Sequence, residues 1–255
     1  MNKLISFYIV IILAIFYSGE AQAEEKGIFL GYEGGSGPMD WEDLASFLTM
    51  DLYLCREGTH QSPIDINKAL ERKPQNLVSD YSPTPIRILN NGHTIHLSYN
   101  SGSTVNWKNK IYNLIQFHFH SPSEHTINGK HYDMEMHLVH KTQDHQFLVT
   151  GILIKKGMHN PNIQKIWDRI PTMKNKEVYF QNDLLNVDNL LPPEKEYFYY
   201  SGSLTTPPCL ENVNWFILKT PIEVSGDQIL FFQKYIKNNA RPTQSLNNRI
   251  IATVK

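Results

Sequence analysis

Six of the eleven histidines in the chain fall between His118 and His140, and two short stretches there carry a spacing that can do chemistry. In Gln116-Phe117-His118-Phe119-His120, the two-residue period of a strand places Gln116, His118 and His120 on one face and the phenylalanines on the other. By the same rule Glu135, His137 and Val139 share one face of the next stretch. If the turn between Ser121 and Asp133 pairs the two as antiparallel neighbours, His137 lies across from His118 and His120, and three imidazoles converge. Three neutral nitrogens on rigid strands, without cysteine, suit a catalytic zinc whose fourth position is left to water; a structural zinc is normally closed by four protein ligands. Gln116 can orient His118, and Glu135 can accept the free ring N–H of His137. A lone His-x-His on a strand is commonly an incidental pair, but the third histidine and the two polar partners on matching faces weigh against that here. His125, His131 and His140 read as structural or surface residues.

Such side chains need strands held side by side, and strand signals dominate. Residues 86–89, 94–97, 114–120, 134–140, 147–154 and 213–218 are short, rich in β-branched or aromatic residues, and closed by Gly, Asn, Asp or Pro. Helical periodicity is sparse: residues 162–170, capped near Asn160-Pro161, and residues 225–237, with Ser225 as N-cap. The expectation is a mainly β fold with short peripheral helices.

Residues 1–23 combine a lysine at the tip, an apolar run from Leu4 to Tyr17 and an Ala21-Gln22-Ala23 end. That is the layout of a cleavable secretory signal, and the run is shorter than the roughly 20 residues a membrane span needs. Residues 24–255 show no linker, repeat or low-complexity segment, so they are read as one domain that does not insert into a membrane after signal cleavage. With 24 basic and 25 acidic residues the net charge is −1, so no global field recruits nucleic acid. Two cysteines, Cys55 and Cys209, in an exported chain imply one disulfide.

These residues resemble the alpha-class carbonic anhydrases over almost the whole mature chain. The matching stretches are Gly31-Tyr32 with Gly37-Pro38 and Trp41, Gln61-Ser62-Pro63-Ile64, Asn90-Asn91-Gly92-His93, and Gln116 to His120. Further along come Ser123-Glu124-His125-Thr126, Glu135 to His140, Ser203-Leu204-Thr205-Thr206-Pro207-Pro208, and Arg241-Pro242 with Asn248-Arg249. The resemblance implies a single large central twisted, mostly antiparallel sheet and the reversible hydration of carbon dioxide to bicarbonate and a proton by a zinc-bound hydroxide. It makes His118, His120 and His137 the zinc ligands, His93 the proton shuttle, and Thr205 with Glu124 the gatekeeping pair. Gln116, Glu135 and the backbone carbonyl of Asn248 become acceptors for the ligands. Val139, Val149, Leu204, Val213 and Trp215 become the wall where carbon dioxide rests; Thr206 lines the cavity, and Tyr32 and Asn91 order its water chain. Cys209, directly after Thr-Thr-Pro-Pro, looks like the cysteine that pairs upstream of Gln-Ser-Pro in secreted members, a role Cys55 fits. The short link Ser121-Pro122-Ser123 is similar to that of bacterial members and implies a secreted, periplasmic protein; a homodimer is compatible with the sequence. His96 departs from the pattern, since many members carry Asn or Gln there. By period two it points opposite to His93, and whether it shares the proton route is left open.

Overall fold

The computed structural model describes Tyr32, residues 37–38, residues 53–73 and residues 77–254. The expected leader at 1–23, Gly31 and Trp41 lie outside the described residues. The strands are β1 (Asp65–Ile66), β2 (Leu70–Glu71), β3 (Leu77–Asp80), β4 (Thr84–Asn90), β5 (Ile95–Ser98), β6 (Thr104–Trp107), β7 (Lys110–His120), β8 (Thr126–Ile127), β9 (Lys130–His131), β10 (Met134–Lys141), β11 (Phe147–Lys156), β12 (Lys176–Leu185), β13 (Tyr197–Ser203), β14 (Glu211–Val224) and β15 (Ala252–Val254). The short helices are α1 (Tyr53–Glu57), α2 (Pro161–Trp167) and α3 (Gly226–Gln233), with a 3-10 turn at Val187–Leu190.

Among the described residues, twelve strands make one sheet, ordered β12-β4-β5-β7-β10-β11-β14-β13-β15-β2, with β6 also on β7 and β3 on β6. Within it only β11–β14 and β15–β2 run parallel, so the sheet is mostly antiparallel, as expected. β1, β8 and β9 form a separate small sheet. The central strand β10 is buried along nearly its whole length, the mark of a strand covered on both faces. Period-two alternation divides its neighbours: Phe117, Phe119, Met136 and Leu138 enter one apolar cluster, and Val139, Val149, Val213 and Trp215 another.

The helices close the first of those faces. Asn160 caps α2 by accepting from Asn162 N and Ile163 N, with Pro161 leading the helix. Ser225 and Gln228 form a capping box on α3. Trp167 of α2 meets the Phe119 ring edge-on at 4.8 Å, and its Nε1–H donates to Gln228 O of α3 (3.0 Å). Both helices stop short of the sequence expectation because their ends tighten into three-residue steps, as in Ile170 N to Trp167 O (3.2 Å) and Tyr235 N to Phe232 O (2.9 Å).

Candidate metal centre and active site

β7 and β10 pair antiparallel with His137 opposite His118 and Glu135 opposite His120. The strands therefore bring His118, His120 and His137 together, with one ring nitrogen of each within 4.8 Å of the others. The remaining nitrogen of each ring is committed. His118 Nδ1–H donates to Gln116 Oε1 (2.9 Å), and His137 Nε2–H donates to Glu135 Oε1 (2.9 Å). For His120 the structure corrects the sequence reading: its Nδ1–H donates to the Asn239 carbonyl (2.8 Å). Asn248 lies in an exposed turn instead, at φ +62, whereas Asn239 follows α3 and packs on the end of β7. These acceptors select tautomers that leave His118 Nε2, His120 Nε2 and His137 Nδ1 facing one another.

The three nitrogens could hold a metal ion. His120 Nε2 and Glu124 Oε2 are buried without a hydrogen-bond partner and lie 3.6 Å apart, with His137 Nδ1 3.9 Å from the same oxygen. Unpartnered buried polar atoms are costly, and a metal among the three nitrogens removes the penalty for His120. Burial pushes His118 well below its ordinary 6.5, reinforced by His120 and His137, and burial also lowers His120. Burial alone would lower His137 as well, but Glu135 and then Glu124 lift it. Burial would raise the Glu135 carboxyl, yet His125 and His137 hold it well below 4.5.

His125, read from sequence as structural or surface, is fully buried and shares Glu135 with the triad. Its Nδ1–H donates to Glu135 Oε1 and its backbone N–H to Glu135 Oε2 (both 2.8 Å), while the Tyr200 hydroxyl meets its Nε2 (2.7 Å). Tyr200 and Asn239 escaped the sequence reading, although Arg241-Pro242, two residues beyond Asn239, was visible as a motif. His140 is buried on Tyr81 Oη (2.8 Å).

The other expected residues lie in several settings. Glu124 is fully buried, its Oε1 accepting from Arg241 N–H (2.9 Å). Thr205 is buried and Thr206 exposed; no hydrogen bond joins the Thr205 hydroxyl to the unpartnered Glu124 Oε2. Val139, Val149, Val213 and Trp215 share one cluster, with Leu204 packed on it, and the Trp215 ring lies 4.9 Å from that of His137. His93 sits in the turn before β5, where Asn91 Oδ1 accepts from His93 N–H and Thr94 N–H (2.9 and 2.7 Å). Asn91 thus shapes that turn, and the Tyr32 ring lies 6.4 Å from the His93 ring. His96 of β5 pairs in register with His118, so it shares the face of the triad; burial lowers its pKa to about 4. Cys55 and Cys209 are joined, at the foot of the loop carrying Thr205.

A family model described as eukaryotic-type carbonic anhydrase matches residues 36–255. A carbonic anhydrase of Nostoc sp. is 40% identical over 234 residues, covering 90% of this chain and 87% of its own length. One from Pectobacterium atrosepticum is 35% identical over 246 residues, covering 96% and 98%. Among solved structures, the alpha-carbonic anhydrase of Thermovibrio ammonificans, in complex with the inhibitor sulfanilamide, matches with a TM-score of 0.84 at 38% identity, covering 90% of this chain and 100% of that one. By the extent of these likenesses and the sheet beneath them, the chain belongs to the alpha, or eukaryotic-type, carbonic anhydrase family.

Proposed function

We propose that the chain hydrates carbon dioxide reversibly to bicarbonate and a proton, with zinc held by His118 Nε2, His120 Nε2 and His137 Nδ1. The observation that carries this reading is the trio of convergent ring nitrogens whose partner nitrogens are held by Gln116, Asn239 and Glu135. When bound, zinc lowers the pKa of its water from 15.7 to about 7, which supplies a nucleophile at neutral pH. The protein does the rest. Gln116, the Asn239 carbonyl and Glu135 hold the rings in place. Once the Thr205 hydroxyl turns to donate its one proton to Glu124 Oε2, which has no partner in this structure, its oxygen can only accept from the reacting centre, and a nucleophile held there is aimed at the substrate. Carbon dioxide has no strong hydrogen-bond handle, and the wall of Val139, Val149, Leu204, Val213 and Trp215, edged by Thr206, gives it an apolar seat. His93, half-buried and lowered by burial and by Lys174, accepts the product proton on its ring and passes it to bulk water, with Tyr32 and the Asn91 turn setting its position. The disulfide supports export, which suits residues 1–23 as a cleaved leader; in a Gram-negative source the destination is the periplasm.

Metal analysis and stopped-flow hydration on His120→Ala and His137→Ala test the ligand set. Each variant is expected to fold, to lose tight zinc binding and to lose hydration. A variant that keeps stoichiometric zinc and native activity refutes the assignment.

A further inference from the structure

One irregular stretch beyond α3 reaches three parts of the site at once. The Asn239 carbonyl holds His120 Nδ1–H. Its side-chain Oδ1 accepts from Ser121 N–H (2.8 Å), and its Nδ2 donates to Phe119 O and His93 O (both 2.9 Å). Two residues on, Arg241 N–H holds Glu124 Oε1. Residues 238–246 have no strand or helix of their own, and only two isolated backbone-to-backbone bonds tie them to other segments, Asn239 N–H to Ser121 O (3.3 Å) and Gln244 N–H to Pro63 O (2.7 Å).

The Arg241 side chain supplies an anchor. It is 1% exposed; its Nη1 donates to Gln61 Oε1 (2.9 Å) and Ser62 O (2.7 Å), and its Nη2 to Cys55 O (2.6 Å). Those acceptors belong to a segment that the Cys55–Cys209 bond and the Gln61 Nε2–H to Cys209 O bond (3.1 Å) tie to the loop of Thr205. The guanidinium fork therefore closes a circuit: Glu124 to Arg241, Arg241 to residues 55–62, and residues 55–62 to Thr205. A planar fork presents its five donors from three fixed nitrogens and so reaches oxygens on separate parts of a segment, whereas the three donors of an ammonium radiate from a single atom.

We propose that Arg241 is a positioning residue for the hydration reaction, whose side chain anchors residues 239–241 so that Glu124 and His120 stay aligned with the Thr205 loop. This rests on the function proposed above. Its consequence is that breaking the anchor perturbs chemistry and metal retention together, which loss of a purely space-filling core residue does not.

The test uses zinc-loaded R241M and R241K, measuring hydration in strong buffer, zinc retention against a chelator, and thermal melting. R241M is expected to lose about ten- to a hundredfold in kcat/KM and to release zinc about tenfold more readily, the range seen when supports behind metal ligands are removed. R241K should fall between R241M and the native protein. In an E124Q background the kcat/KM loss from R241M should shrink to within about threefold, because the two residues act through one contact. The proposal is overturned if R241M lowers only the melting temperature, with kcat/KM and zinc retention within about twofold of native, or if its loss multiplies in full with that of E124Q. If R241M does not fold, Q61L removes one acceptor and leaves the guanidinium; a loss of about threefold or more in both readouts supports the anchor, and a change in melting alone refutes it. A native protein that binds zinc but hydrates no carbon dioxide would sink the proposed function instead, and zinc retention would still decide this point.

Discussion

Replacing Glu135 by glutamine changes only one atom and should damage the site badly. The buried carboxylate receives four N–H groups: His137 Nε2–H (2.9 Å) and His125 Nδ1–H (2.8 Å) on Oε1, Glu124 N–H (2.9 Å) and His125 N–H (2.8 Å) on Oε2. With His125 and His137 held in these tautomers, glutamine keeps one oxygen and turns the other into a donor that faces two donors, so two of the four bonds are lost whichever way the amide sits. Hydrogen bonds to a charged group contribute about 1.5–3 kcal/mol each, which gives a loss of about 3–6 kcal/mol. That is a large share of the roughly 5–15 kcal/mol typical of a folded domain. Urea unfolding of metal-free native and Glu135→Gln proteins measures it, and zinc competition should show affinity down about 10–100-fold. Because the folded carboxyl is held below its ordinary value, its stabilisation is present above the unfolded pKa and fades as pH falls through the folded one. A variant within about 1 kcal/mol of native stability, with native zinc affinity, would refute the four-bond account.

Gly151→Ala would place a Cβ 2.6 Å from Ile217 Cδ1 and 2.8 Å from Glu135 Oε1; melting and zinc competition should both show a loss, and unchanged affinity would mean Glu135 yields without consequence. His140 has its pKa lowered to about 4 by burial, so between pH 6.5 and 4 the unfolded chain binds a proton that the native state refuses. Metal-free stability should fall through that window as pH drops, by roughly 3 kcal/mol from this group, and urea titrations of His140→Leu should show a shallower slope. His93→Ala should lower kcat in weak buffer by about tenfold or more with kcat/KM unchanged, and added imidazole should restore it. His96, near pKa 4, is a poor relay at neutral pH; if only the double variant with His96→Ala becomes buffer-dependent, the single-shuttle assignment fails.

The triad was legible because its information is local: two five-residue stretches alternate with period two, and the connection through residues 121–133 returns the chain so that they pair. The six expected strands are present for the same reason. β12 and β13 were not expected; β12 is largely exposed, so it has little apolar alternation to read, and the Tyr-rich β13 runs into the Ser-Leu-Thr-Thr-Pro-Pro loop. Asn239 was invisible as the partner of His120 because the contact joins a backbone carbonyl to a ring 119 positions away, and a carbonyl leaves no trace in residue type. His125 looked incidental since its neighbour on Glu135 is set by how the 121–133 turn folds back, which spacing alone does not encode. His96 faces the triad because the Asn91 turn places His93 outside the strand, so period counting from His93 does not apply.

The central claim is that the three convergent nitrogens hold one zinc on which hydration depends. Stopped-flow carbon dioxide hydration by the purified protein, followed through chelation and zinc titration, measures that dependence directly. Activity is expected to disappear with the metal and to return in proportion to zinc up to one equivalent per chain. Full hydration by metal-free protein, or recovery that needs no zinc at His118, His120 and His137, would contradict it.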